Sequence, residues 1–215
     1  GPNNDDIGQV KAMKYAMESG FTSIRTAQNY AEGHCEELVG EAVAGFDRGK
    51  LFISAAINQN FALNKKMLVE EAKKSLLRMK IDYFDLFMIG AINPEVPVRE
   101  VADGMMELLN KGLVRNIGAS NYRLEELKFI DQYTGGKIVC DEMHYNLVIR
   151  EPEITGELKY CLENNIVLSA YRPLQLGQLS KPGIGLLDRM AAKYGKSQSQ
   201  IALKWLVQKE GVVAI

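Results

Sequence analysis

The chain has 215 residues, 47% of them hydrophobic and 25% charged, enough for one domain with a substantial core and ordinary for a globular protein. A net charge of −1 offers no electrostatic draw for nucleic acid or an anionic membrane, and no apolar run approaches the length of a membrane span. Three cysteines with no CxxC pair, beside only two histidines, argue against a metal site and for free thiols in a cytoplasmic protein, and no signal-peptide pattern opens the given chain.

Helix-like and strand-like segments alternate along the chain. Helical periodicity in DDIGQVKAMKYAMESG stops at Gly20, and the strand FTSIRTA follows. The helix CEELVGEAVAG, the strand LFISAAI, the helix KKMLVEEAKKSLLRMK and the strand YFDLFMIG come next. After them stand the helix REVADGMMELLNKG, the strand VRNIGAS, the helix RLEELKFIDQY and the strand IVCDEMHY. The helix TGELKYCLENN leads to the strand VLSAYRPL, and the helix SQSQIALKWLVQKE, with a shorter one before it, precedes the strand GVVAI.

Several of these strands are apolar on both faces, as expected where helices cover a parallel sheet. Regular βα alternation predicts an α/β fold, and the absence of GxGxxG after an early strand favours a (β/α)8 TIM barrel over a doubly wound sheet. The whole chain, 1–215, reads as a single barrel domain. Seven strands are one short of a barrel, so a first strand and a last helix are expected outside this chain. The strands holding Ile24 and Val213 should then leave a gap instead of pairing directly.

Five stretches together resemble the aldo/keto reductase family. GFTSIRTAQNYAEGHCEELVGEAV is similar to its first signature and GLVRNIGASNY to its R-x-[IL]-G-[VA]-S-N segment. DEMHYNLVIRE and YCLENNIVLSAYRPLQLGQL are similar to its sixth and seventh strands with their loops, and KYGKSQSQIALKWLVQ to its penultimate helix. The resemblance implies an eight-fold barrel that reduces small carbonyl ligands with NADP(H). In that chemistry a tyrosine protonates the carbonyl oxygen, an aspartate–lysine pair eases its proton loss, and a histidine orients the carbonyl. On this chain the tyrosine is Tyr30. The other three tetrad positions hold Arg25, Ala56 and Gly90.

The implied cofactor apparatus matches better. Ser120, Asn121 and Glu142 fall where the family holds the nicotinamide carboxamide, with glutamine frequent at the last of these. Tyr171 matches the ring that stacks on the nicotinamide, and the backbone around Leu174, Gln175, Gly177 and Leu179 resembles the pyrophosphate cradle. Contacts to the adenosine 2′-phosphate would lie beyond Ile215, which would weaken binding.

Arg25 enters a crowded strand end where an unpaired guanidinium is costly, and Glu142 is the leading candidate for its partner. His144, two residues on, reads as a hydrogen-bonded polar residue. Ala56 and Gly90 should open a pocket with Tyr30 on its wall. The chain is therefore expected to be an impaired reductase with a remodelled pocket, natural or engineered. Two alternatives stand beside that reading: a working oxidoreductase using Tyr30 with Arg25, and a non-catalytic module for a ligand or partner. No nucleic-acid or membrane partner is expected.

Overall fold

The computed structural model describes residues 5–57, 64–90 and 96–215. Seven parallel strands pair in chain order: β1 (Ser23–Ala27), β2 (Phe52–Ile57), β3 (Leu86–Gly90), β4 (Ile117–Ser120), β5 (Ile138–His144), β6 (Val167–Tyr171) and β7 (Val212–Ala214). The helices between them are α1 (Asp6–Glu18), α2 (His34–Val43), α3 (Lys65–Met79), α4 (Val98–Asn110) and α5 (Leu124–Tyr133). Then come α6 (Glu151–Thr155), α7 (Glu157–Glu163), α8 (Gly185–Tyr194) and α9 (Gln198–Val207).

Helix starts follow local chemistry. Asp5 accepts from the Gly8 amide at 2.8 Å and Asn64 from the Met67 amide at 2.9 Å, each satisfying a donor that the first helical turn leaves free. Ser197 and Gln200 cap α9 reciprocally. Two expected boundaries shift. The helix expected over Thr155–Asn165 starts only at Glu157, after Gly156, whose φ of 99° the α-helix cannot hold, and the short α6 before it was not expected. Strand β1 opens at Ser23 instead of Phe21, which stands 70% exposed before the first pairing with β2.

Strand parity sorts the core into two faces. Ile53, Ala55, Ile57, Phe87, Ile89, Ile117 and Ala119 pack in one large cluster with helix residues such as Leu68, Met105 and Leu127. The alternate residues Ala56, Leu86, Met88 and Cys140 form a separate cluster on the inner face. Gly118 lies on that inner face, where an added Cβ would come within 2.8 Å of the Cys140 carbonyl oxygen and 3.0 Å of Met88 Cγ.

The sheet curls strongly. Strands β1 and β5 are four places apart in the order, about 19 Å in a flat sheet. Yet Arg25 of β1 meets Glu142 of β5 side chain to side chain at 2.7 Å. This is the curvature of a barrel wall. Among the described residues the order ends at β1 and β7, which do not pair with each other, in keeping with the expected gap. No described helix is long and apolar enough to cross a membrane.

Candidate active site

The carboxyl ends of β1, β4, β5 and β6 surround a cleft of about 480 Å³. Arg25, Tyr30, Asn121, Glu142, Tyr171, Arg172 and Ile215 line it. In this architecture that end of the strands is where the loops can carry chemistry, because the barrel interior is filled by side chains.

Arg25 and Glu142 form a two-pronged ion pair, Nε to Oε2 and Nη2 to Oε1, both 2.7 Å. The remaining Nη1 donates to the Thr26 carbonyl. Side-chain exposures of 16% and 7% place the pair largely out of water, where a matched fork offsets the desolvation that a single charge could not. The arginine's partner is the one expected from sequence. The guanidinium is committed to this carboxylate and makes no hydrogen bond to Tyr30 among the described contacts.

A polar chain runs on from Glu142. Ser120 Oγ donates toward Glu142 Oε1 at 3.4 Å, Asn121 Nδ2 donates to Ser120 Oγ at 3.0 Å, and the Tyr171 hydroxyl donates to Asn121 Oδ1 at 2.9 Å. The Tyr171 ring stacks on His144 with centroids 5.2 Å apart, and His144 Nε2 meets Gln175 Oε1 at 2.8 Å. Burial pushes the Tyr171 phenol above its ordinary pKa, with Arg172 opposing. Asn121, Arg172, Gln175 and Leu176 all have positive φ although none is glycine. Such conformations cost energy and concentrate where a site constrains the backbone.

Tyr30 opens a single 3-10 turn after β1, followed by Ala31 and Glu32 in left-handed conformations, and it is 48% exposed. Ala56 and Gly90 do not line the cleft. Ala56 is 8% exposed and packs with Leu86, Met88 and Cys140. Gly90 ends β3 in register with Ser120.

In the segment Gln175–Ser180, a 3-10 turn interrupted at Leu176 and Gly177, the amides of Gly177 and Leu179 both donate to the Leu174 carbonyl, and the Gln175 amide to that of Arg172. Leu179 is buried against Leu187 and Ala202, which seats the loop on α8 and α9. Sequence reasoning missed Asn146. This fully buried residue donates through Nδ2 to the Arg172 carbonyl and Gln175 Oε1, while its Oδ1 accepts from the Val148 and Ile149 amides. It clips the loop after β5 to the loop after β6. An asparagine two residues past a strand was the available signal, but its partners are 26 and 29 residues away. No group of His, Cys, Asp and Glu among the described residues could hold a metal ion.

A model of the Aldo/keto reductase family matches residues 2–215. The aldo-keto reductase YhdN of Bacillus subtilis and the methylglyoxal reductase YeaE of Escherichia coli are each 29% identical, over 96% of this chain and 73% of their own length. The crystal structure of a thermostable aldo-keto reductase, Tm1743, solved with the inhibitor epalrestat, superposes with a TM-score of 0.94 at 37% identity, covering 99% of this chain and 77% of that one. An aldo/keto reductase from Klebsiella pneumoniae, solved with NADP and acetate, gives a TM-score of 0.87 at 27% identity, over 98% and 74% of the two chains.

Proposed function

The chain belongs to the aldo/keto reductase family, and on that premise we propose that it binds NADP(H) in the cleft but reduces carbonyl compounds slowly. The family's chemistry is NADPH-dependent carbonyl reduction, and Klebsiella relatives were solved with NADP or NADPH. The donors present suit the nicotinamide end of that cofactor. Asn121 and Glu142 offer an amide and a carboxylate to the carboxamide, and the Tyr171 ring, backed by His144, offers an aromatic wall. When bound, the cofactor supplies the hydride. The loop Leu174–Leu179 would follow its diphosphate.

The observation that carries the impaired reading is the Arg25–Glu142 fork. Tyr30 stands at the cleft as the proton donor, yet the charge nearest its family role is neutralised by a carboxylate. Ala56 supplies no ammonium group and Gly90 no imidazole to orient the carbonyl. General acid–base groups each contribute about 10²–10⁴ in rate and act as a unit. The second reading, catalysis by Tyr30 with Arg25, draws on the two sharing one cleft. Small carbonyl compounds are the proposed ligands, and the three free cysteines support a cytoplasmic setting.

NADPH oxidation with a panel of aldehydes including methylglyoxal tests this, alongside NADPH titration by fluorescence quenching. Saturable binding with turnover far below the usual range of about 1–10³ per second is expected. Ordinary turnover overturns the impaired reading and makes Arg25 a working residue. Absence of binding leaves the module without a cofactor. Restoring the tetrad requires Arg25→Asp, Ala56→Lys and Gly90→His together with Glu142→Gln. Without the fourth change the new aspartate would face an unpaired Glu142. The fourfold variant should regain reduction by at least about 10²-fold, and the threefold one should regain much less.

A further inference from the structure

On the face of β5 opposite the cleft lies a group of titratable side chains that carbonyl reduction does not use. Asp141 is completely buried, and neither of its carboxyl oxygens has a hydrogen-bond partner. The Tyr122 hydroxyl, on the turn after β4, is buried and unpartnered too, and Asp141 acts on it electrostatically. The charges acting on Asp141 are both negative, Glu157 of α7 and Glu142 beside it on β5. The other titratable groups of this region are the thiols of Cys140 and Cys161, with Glu126 and Asp131 of α5 acting on Tyr122 and Cys161.

The two carboxyls differ in their donors. Glu157 accepts from the Leu124 amide at 3.1 Å, at the start of α5, and from the Thr155 hydroxyl, and is itself the first residue of α7. Helix N-termini and donors stabilise an anion. Asp141 has neither, and an unsolvated carboxylate there would cost more than holding a proton, so burial keeps its pKa well above the ordinary value.

The neighbours of this group face the cleft. Tyr122 follows Asn121, and Asp141 precedes Glu142. The last rung of the β4–β5 ladder, from the Asn121 amide to the Glu142 carbonyl at 2.9 Å, lies between them. We propose that Asp141 is a positioning residue that works as a neutral carboxylic acid: uncharged, it lets the ends of β4 and β5 close over it so that Asn121 and Glu142 meet the cofactor. Ionisation of Asp141 loosens that rung. The positioning half rests on the cofactor reading above; the protonation half does not.

The protonation half is tested on the full chain without ligand. Unfolded Asp141 loses its proton near pH 3.9 while the folded residue keeps it, so folding stability falls as pH rises above that value, until the folded residue ionises in turn. Over that window the unfolding constant gains up to tenfold per pH unit from this residue, and Asp141→Asn and Asp141→Leu should both flatten the profile. A protonated-carboxyl infrared band at neutral pH, lost in Asp141→Asn, is the second readout. Equal slopes in all three proteins, or a band that survives the substitution, overturn the proposal. For the positioning half, NADPH affinity should decline toward alkaline pH in the wild type and stay level in Asp141→Asn; parallel profiles overturn it. If no variant binds NADPH at any pH, the cofactor reading and the positioning half fail together, and the stability slopes still decide the proton.

Discussion

Arg25 and Glu142 make sense only as a pair. A carboxylate at position 142 accepts both prongs of the guanidinium, where glutamine would offer one acceptor and a competing donor. Glu142→Gln should therefore leave Arg25 charged and poorly matched. We expect a loss of about 3 kcal/mol, the lower end for a broken buried pair because part of the arginine remains wet. Urea unfolding measures it, and Arg25→Met with Glu142→Gln should recover most of the loss. A loss below about 0.5 kcal/mol would place the pair among surface bridges of little consequence.

At the scale of elements, α2 carries the anchoring of the Tyr30 loop. Glu36 is fully buried and takes the Arg78 guanidinium of α3 at 2.6 Å, while Gly40 lets the two helices touch. An alanine Cβ at position 40 would stand 2.5 Å from the Met79 carbonyl oxygen, so Gly40→Ala must push α2 off α3. We expect about 2 kcal/mol of destabilisation and a melting temperature lower by about 4–8 °C. The other end of α2 is tied by His34, whose ring meets Glu37 Oε2 and Asp6 Oδ2 at 3.0 Å each. These two hydrogen bonds raise its pKa, that to Glu37 most, against an unfolded value of about 6.5. A raised pKa contributes stability that is fully present below the unfolded value and lost as pH rises through the folded one. The melting-temperature difference between wild type and His34→Gln should accordingly be positive in mild acid and close as the solution turns alkaline. A difference that is independent of pH would show that the imidazolium is not what ties α1 to α2.

For the whole molecule, curvature creates the site. The cleft needs β1 and β5 to approach across the barrel, so a ligand that bridges β4, β5 and β6 stabilises the curled sheet against unfolding. NADPH at about 100 times its dissociation constant should add about 2.7 kcal/mol, or roughly 5–10 °C in melting temperature for a chain of this size. Calorimetric scans with and without NADPH check this. An unchanged transition at saturating NADPH would mean that the cofactor does not select the folded barrel.

Local pattern alone determined the order of the strands, because periods of 2 and 3.6 are written into neighbouring residues, and the family resemblance pointed to Tyr30, Asn121 and Tyr171, which line the cleft. The cost of a bare guanidinium made Glu142 the leading candidate to partner Arg25, and the two do pair. Tertiary structure alone decided the rest. Ala56 packs with Leu86, Met88 and Cys140 of β3 and β5 in one inner layer, a grouping that only the curled sheet assembles. Asn146 became visible as a clip only when the loop after β6 came beside it. Asp141, one more acidic letter in CDEMH, acquired its meaning from being sealed behind β5 with no donor. Burial and pairing between residues distant in the chain depend on how the sheet closes, and no window of sequence contains that information.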